Sequence, residues 1–536
     1  MNAALVHRLW RAASRRAARR FHYAARHLAE TQAQMLDRYL TRNRATAYLR
    51  EHAASLPLTT YDDYLPYIER IANGEQNILT AEPVRVFEPS SGSTAASKLI
   101  PYTRTLQQEF QRGLATWITD LFTHYPAILS RPAYWSISPL TDGPRRTPGG
   151  LPIGIEDDSA YLGPLGALMA SAFPVPGLVK HIRDVTAFRY VTLLHLLRCE
   201  NLGLISVWNP TFLTLLLEPL PQWWDALLRD TAHGTLTSPA PLDENIQRTL
   251  LKALPPRPQR ARQLARLQPT DYTSIWRKLA LISCWADGAS KPYAAALQEK
   301  FPNVMLQPKG LLATEAFITF PLTAQAGGVL AITSHFFEFI ADSGDILRAH
   351  QIEKGKTYSV VVTTGGGFYR YQLNDIVEVT GIYHQAPCLR FIGKADFIAD
   401  YFGEKLNEQF VAHTLAQLFA RHRLSPVFSM LAPEDEPSFC YILFLELPDQ
   451  QTVQNPSALS ADLDAALREN FHYDYCRKLG QLAAARVAFV PNGAQTYLLT
   501  RQSHGLKLGD IKPGVLQKTT GWSRRFAAAH PLWNEN

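Results

Sequence analysis

Tyr369-Arg370-Tyr371-Gln372-Leu373-Asn374-Asp375 runs into Ile376-Val377-Glu378-Val379, and a further strand-like run carries the chain to Phe391-Ile392-Gly393-Lys394-Ala395-Asp396 and on to Gly403-Glu404-Lys405-Leu406-Asn407-Glu408. This stretch divides the sequence into two styles. Upstream of it strands arrive quickly, at 329–333, 358–363, 376–383 and 389–392, which predicts an antiparallel sheet closing a large unit. Downstream, Phe410, Val411, Leu415, Leu418 and Phe419 share one face of a helix. Residues 439–447 then read as a strand, 457–471 as a helix and 486–490 as a strand, a small α+β unit. The boundary is set near Ala395, giving a large domain of 1–394 and a small one of 395–536. Within the stretch, an Asp opening the strand at 376 can accept hydrogen bonds from both hydroxyls of a ribose. The Asn374-Asp375 pair read alone is equally a turn. The segment from Lys394 to Asp396 falls where a hinge would sit.

Working outward, helical and strand-like segments alternate through the middle. Residues 202–207, 279–284 and 304–307 read as buried strands and 293–301 as a helix, the pattern of an α/β layered core. After the strand at 304–307, Leu311-Leu312-Ala313-Thr314-Glu315 places a carboxylate where it can hold Mg²⁺ against phosphate oxygens. A solvated loop glutamate is the commoner reading of that residue alone.

Nearer the N-terminus, 30–54 reads as a helix with Met35, Leu36, Tyr39 and Leu40 on one face, 84–87 as a strand and 106–122 as a helix. The strand at 84–87 leads into Ser90-Ser91-Gly92-Ser93-Thr94-Ala95-Ala96-Ser97-Lys98. Hydroxyls and backbone N–H groups in such a loop can turn toward phosphate oxygens. Gly92 allows close approach, and Lys98 offers a point charge to a triphosphate. A flexible surface loop is the alternative. It is not a Walker loop; Gly355-Lys356-Thr357 resembles the tail of one, but His350 replaces the required glycine. Gly365 and Gly367 fail as a dinucleotide fingerprint because Arg370 stands at the last glycine, and Pro292 ends any hydrolase elbow at Gly288-Ala289-Ser290-Lys291.

Composition sets the outer bounds. The 536 residues are 46% hydrophobic and 19% charged, as in a globular protein. The net charge of +7 equals the seven arginines of residues 1–29 (Arg8, Arg11, Arg15, Arg16, Arg19, Arg20 and Arg26), a segment with no acid, so the remainder is balanced. Leu5, Leu9, Ala13, Ala17 and Phe21 recur at every fourth position there, which predicts a surface helix packed by that stripe. A weak membrane-surface contact or an address signal is the lesser alternative, and nucleic-acid binding ranks below both because no recognition motif accompanies the charge. No secretory apolar region follows Met1. The stretch 202–217 contains Asn209 and Pro210 and is short for a membrane span. Five scattered cysteines without a CxxC predict a reducing cytoplasm rather than a zinc or disulfide framework.

Taken together and in order, these motifs resemble the adenylate-forming superfamily, and within it the Gretchen Hagen type acyl acid amido synthetases, the auxin-responsive promoter family. The likeness runs from the helix near Gln32 to Lys512, which lies in Gly509-Asp510-Ile511-Lys512-Pro513. It implies a large α/β domain of the firefly-luciferase-like type with a smaller mobile α+β domain. It also implies that Ser90, Ser91, Gly92, Ser93, Thr94 and Lys98 hold the phosphates of ATP, and that Thr314 and Glu315 sit by the α-phosphate with Glu315 toward Mg²⁺. Asp375 would bind ribose. Lys394, where the family usually has arginine, would face the nucleotide, and Lys512 would approach the adenylation centre. Asn374 stands where a glycine is usual. The implied reaction joins a carboxylic acid to AMP and then to an amine, an amino acid by analogy. A thioester-forming ligase shares the first half, and a non-catalytic nucleotide-binding scaffold is the distant alternative. Regions 150–163 and 208–217 are candidates for lining the acid's pocket or for plain core; the acid itself and the oligomeric state stay open.

Overall fold

The computed structural model describes residues 3–90, 98–137, 145–154, 173–395, 398–436, 438–503, 511 and 514–529. The basic N-terminal segment is one helix, α1 (Ala3–Ala24), but its buried face differs from the expected one. Val6, Trp10, Ser14, Ala18 and Phe21 point inward, while Leu5 and Leu9 are 51% and 46% exposed. The buried row has the same four-residue spacing as far as Ala18 but is shifted by one residue, about 100° around the helix, which places the large Trp10 ring inward and Leu9 outward. The expected helix over 30–54 is two helices, α2 (Leu28–Asn43) and α3 (Ala47–Glu51), because Thr46 starts a new one: its Oγ1 accepts from Leu49 N at 3.4 Å. A helix not expected, α4 (Tyr61–Ala72), begins where Thr60 N donates to Asp63 Oδ2 at 2.7 Å. Helix α5 (Arg104–His124) carries α1 along its side.

The first strands, β1 (Val86–Pro89) and β2 (Leu99–Tyr102), form an antiparallel hairpin, and short β4 (Arg145–Arg146) and β5 (Pro152–Ile153) extend its sheet. A second sheet is wholly parallel, in the order β3 (Ala133–Trp135), β6 (Leu204–Ser206), β7 (Leu281–Cys284), β8 (Met305–Pro308). Helices such as Val185–Arg198 and Lys291–Lys300 alternate with these strands, as parallel connections require. All four residues of β7 are buried, since helices cover both faces of such a sheet.

The third sheet is the antiparallel one. Its strands are β9 (Thr319–Pro321), β10 (Gly328–Leu330), β11 (Phe336–Ala341), β12 (Ile346–Arg348), β13 (Thr357–Thr363), β14 (Tyr371–Tyr383) and β15 (Ala386–Lys394), in the order β12-β11-β13-β14-β15-β10-β9. Strand β14 starts earlier than expected, so Asp375 lies inside it rather than opening it. Alternation along β14 turns Tyr371, Leu373, Asp375 and Val377 to the buried side.

Beyond β15, β16 (Ile398–Ala399) pairs with β17 (Leu406–Asn407), and Asn407 caps the helix Glu408–His422 through Phe410 N at 2.7 Å. Strands β18 (Phe428–Glu434), β19 (Cys440–Glu446) and β20 (Arg486–Phe489) form a last sheet. The expected helix over 457–471 is again two, Pro456–Leu467 and Phe471–Lys478, because Asn470 Oδ1 accepts from His472 N at 2.9 Å and restarts the helix. One face of this sheet packs Leu431, Leu443 and Val487 against Leu459 and Leu463. The other, through Met430, Ile442 and Phe444, is continuous with the core around Leu213 and Leu216. None of the five cysteines forms a disulfide, and among the described residues no helix is long and apolar enough to cross a membrane.

Candidate active site

The predicted phosphate loop springs from a closed hairpin end. Beyond the Pro89–Leu99 pair of β1 and β2, Ser90 N donates to Lys98 O at 2.8 Å. Ser91, Gly92, Ser93 and Thr94 lie outside the described residues. Ser90 is buried, and its hydroxyl finds no hydrogen-bond partner among the described residues. A buried polar atom left so calls for an explanation, and a ligand oxygen arriving at the hairpin end supplies one. Lys98 Nζ lies 5.3 Å from the ring of Tyr61, whose hydroxyl accepts from Leu99 N at 2.7 Å.

From this hairpin a series of contacts leads to the other motifs. Tyr102 on β2 donates to the carbonyl of Thr314 at 2.6 Å. Tyr371 on β14 donates to Glu315 Oε1 at 3.3 Å. Further along β14, Asp375, only 3% exposed, has Oδ1 3.0 Å from Lys394 Nζ on β15, its register partner. A run of contacts therefore links the Ser90–Lys98 hairpin end to Thr314 and Glu315, and Glu315 to β14, which carries Asp375 beside Lys394. Tyr61 belongs to this run too. Burial pushes its phenol up, the bond to Leu99 pulls it back, and the Glu315 carboxylate adds to the rise.

Asn374 explains a departure seen in the sequence. Its φ is +60°, the left-handed region that glycine favours and asparagine tolerates. Asparagine at this position keeps the backbone that a glycine would adopt. Arg370 is similar, with φ +49°. Its guanidinium grips Glu338 through Nε at 3.0 Å and Nη2 at 3.3 Å and also donates to Leu56 O, fixing the corner ahead of Tyr371.

A buried carboxylate that sequence reasoning passed over holds the Glu315 loop from behind. Glu109 on α5 is fully buried. It accepts from Tyr39 at 2.6 Å and from Gly365 N at 2.9 Å, and its Oε2 is 3.0 Å from His335 Nδ1. His335 Nε2 accepts from Phe317 N at 2.9 Å, so the ring proton belongs on Nδ1. Tyr39 was visible on the apolar face of its helix, but nothing local marked its partner.

Lys512 lies outside the described residues. Ile511 just before it is buried, and its carbonyl accepts from Asn209 Nδ2 at 3.0 Å, beside the outgoing end of β6. Near Lys394, burial pushes the Glu408 carboxyl up to about 7, against the bond to the Val515 backbone and the charge of Lys394. Among the described residues no group of three or more His, Cys, Asp or Glu is arranged to hold a metal. Glu315 thus fits a magnesium ion only in the shared form, one carboxylate plus phosphate oxygens.

Known proteins share this fold. The fold matches a GH3.15 acyl acid amido synthetase with a TM-score of 0.80 at 21% identity, covering 93% of each chain. The chain is 22% identical over 509 residues to the Arabidopsis thaliana indole-3-acetic acid-amido synthetase GH3.5, covering 83% of this chain and 81% of the relative. It is 25% identical over 423 residues to the Oryza sativa subsp. indica enzyme GH3.8, covering 70% and 68%. Sequence models of the GH3 family N-terminal, central and C-terminal domains match residues 17–306, 328–394 and 408–520 in turn. The first of these takes in more than half the chain, and this protein belongs to the GH3 family.

Proposed function

We propose that this chain condenses a carboxylic acid with an amino acid, using ATP and releasing AMP and pyrophosphate. The supporting observation is the run of contacts from Ser90 and Lys98 through Thr314 and Glu315 to Asp375 and Lys394 in a GH3-family chain. In the first step a carboxylate oxygen attacks the α-phosphorus. The new O–P bond forms as the α–β anhydride breaks, and pyrophosphate leaves. In the second step the amine attacks the acyl carbon, AMP leaves with the electron pair of the broken bond, and the amine loses a proton.

Each residue has a stated part. Ser90 and Lys98 with residues 91–94 hold the β- and γ-phosphates, Thr314 lies by the α-phosphate, and Asp375 accepts from the ribose hydroxyls. Lys394 orients Asp375 and faces the nucleotide. Glu315 would hold Mg²⁺, which would supply charge neutralisation at the phosphates. Lys512 brings a further positive charge to the developing pentavalent centre. The small domain, 395–536, turns about residues 394–396 between the two steps.

The test is nucleotide analysis after incubating purified protein with ATP, Mg²⁺ and a pool of carboxylic acids. Acid-dependent AMP and pyrophosphate support the reading; release of ADP, or no turnover, sinks it. Amino acids and coenzyme A supplied separately then distinguish amide from thioester formation.

A further inference from the structure

One row of the parallel sheet has a composition that packing alone does not explain. Trp135, Ser206, Ser283 and Gln307 are register partners on β3, β6, β7 and β8, so they stand side by side on one face. The preceding row on that face, Ala133, Leu204, Leu281 and Met305, is apolar. The face therefore turns polar at its last row, at the carboxyl ends of the strands, where open α/β sheets take their ligands.

Just past β8 stands Lys309, only 8% exposed. Its ammonium donates to Ser206 Oγ at 2.8 Å and lies 4.6, 5.3 and 5.6 Å from the rings of Trp208, Trp117 and Trp135. Trp117 is fastened over the row by Nε1 donating to Gln307 Oε1 at 3.0 Å. Two more polar atoms of the row, Ser283 Oγ and Trp135 Nε1, are buried and find no hydrogen-bond partner among the described residues. Ser283 itself is fully buried. A desolvated donor left unpaired costs about 1–3 kcal/mol, and a sheet with apolar neighbours could have carried alanine there instead.

We infer that this row is the seat of the acid substrate's carboxylate. Lys309 Nζ provides the cation, Ser283 Oγ and Trp135 Nε1 donate to its oxygens, and the indoles of Trp117 and Trp208 flank a flat apolar body. The inference rests on the acid-activating function proposed above. The segment that carries Lys309 continues directly to Thr314 and Glu315, so one stretch of backbone would present the carboxylate and receive the α-phosphate. A cation there also offsets the repulsion between two anions that must meet.

The experiment compares the unaltered full-length chain with Lys309→Met, Lys309→Arg and Ser283→Ala. It follows pyrophosphate release against aromatic and aliphatic carboxylic acids, and tryptophan emission on adding each acid without ATP. Lys309→Met should raise the KM for the acid roughly tenfold to a hundredfold, the range for losing a charged hydrogen bond, with the KM for ATP little changed. Lys309→Arg should restore part of it, and the acid-induced emission change should vanish in the Met variant. Ser283→Ala removes an unpartnered hydroxyl, so it should raise the acid's KM without lowering the melting temperature; it carries the test if Lys309→Met does not fold. Turnover by the unaltered chain with the acid's KM unmoved in these variants overturns the inference. So does the absence of any emission response to acids. An emission response that depends on Lys309, without pyrophosphate release, keeps this site and sinks the proposed reaction.

Discussion

Replacing Asp375 by Asn tests the nucleotide reading where binding and stability separate most cleanly. The carboxylate is 3% exposed and sits 3.0 Å from Lys394 Nζ, whose side chain is 43% exposed. That ion pair is therefore close to a surface pair, worth about 1 kcal/mol or less, and the amide keeps the shape. The melting temperature should move by no more than about 2 °C. Binding is another matter. A carboxylate accepting from both ribose hydroxyls makes two charge-assisted bonds of about 1.5–3 kcal/mol each, and the amide leaves at best neutral ones of about 0.5–1.5 kcal/mol. The difference, about 2–3 kcal/mol, corresponds to a rise of about 30- to 150-fold in the KM for ATP. The assay is pyrophosphate release with ATP varied at saturating acid, alongside a thermal melt. A folded variant whose KM for ATP stays within about threefold of the parent refutes the ribose role, since even one lost charge-assisted bond exceeds that.

Lys512→Ala should slow adenylate formation by about two orders of magnitude or more while ATP affinity, measured by equilibrium binding, changes little; unchanged adenylation removes Lys512 from the centre. Glu408 gives a pH signature. Its folded-state pKa of about 7 lies above the ordinary 4.5, so its contribution to stability is complete below about 4.5 and is lost as pH rises to about 7. Glu408→Gln should accordingly match the parent's melting temperature in acid and exceed it above neutrality; parallel melting curves across that window would refute the assignment. Phe21→Ala, at a fully buried ring 4.9 Å from Phe320, should cost about 3–5 kcal/mol in denaturant titration, and a loss under about 1 kcal/mol would mean α1 is not part of the folded core. Gly113→Ala places a Cβ 2.5 Å from the Phe317 ring, and the overpacking should destabilise by about 1–3 kcal/mol and lower kcat; an unchanged kcat would show that the Glu315 loop tolerates the shift.

How much of this was readable from the chain follows from how far each signal reaches. The buried strands at 281–284 and 357–363 were visible because β-branched and apolar runs declare themselves locally. Strand β11 was missed: Glu338 interrupts its apolar run, and the residues that neutralise it, Arg370 at 3.0 Å and Arg348 at 3.8 Å, lie on other elements. Two helices were drawn too long because Thr46 and Asn470 read as ordinary interior polar residues until their side chains are seen accepting backbone N–H groups. The site divides the same way. Ser90, Lys98, Glu315, Asp375 and Lys394 sit in motifs whose residue order is local. Tyr61, Tyr102, Tyr371 and the Glu109–His335 pair act only through partners elsewhere in the fold, and a single sequence gives no pairing between them.

The segment from β8 to β9 is where these long-range relations converge, and glycine makes the convergence possible. A Cβ at Gly310 would lie 2.2 Å from Thr319 O, so no other residue fits where the chain leaves the parallel sheet and doubles back along β9. Leu311 N donates to Thr319 Oγ1 at 2.7 Å, closing that crossing. Thr314 is then tied to the phosphate hairpin through Tyr102, Glu315 to the antiparallel sheet through Tyr371, and Phe317 to α5 through His335 and Glu109. A segment fixed at so many points cannot adjust to one substrate independently of the other. The two anions of the first step must therefore be matched by rigid placement, with the entropy of alignment met in folding rather than at each turnover. The second step needs a new set of groups around the same carbonyl, and this segment is poorly suited to supply them by moving. In the reaction proposed above that role is given to the part of the molecule beyond β15, whose approach to the parallel sheet includes the Ile511–Asn209 bond.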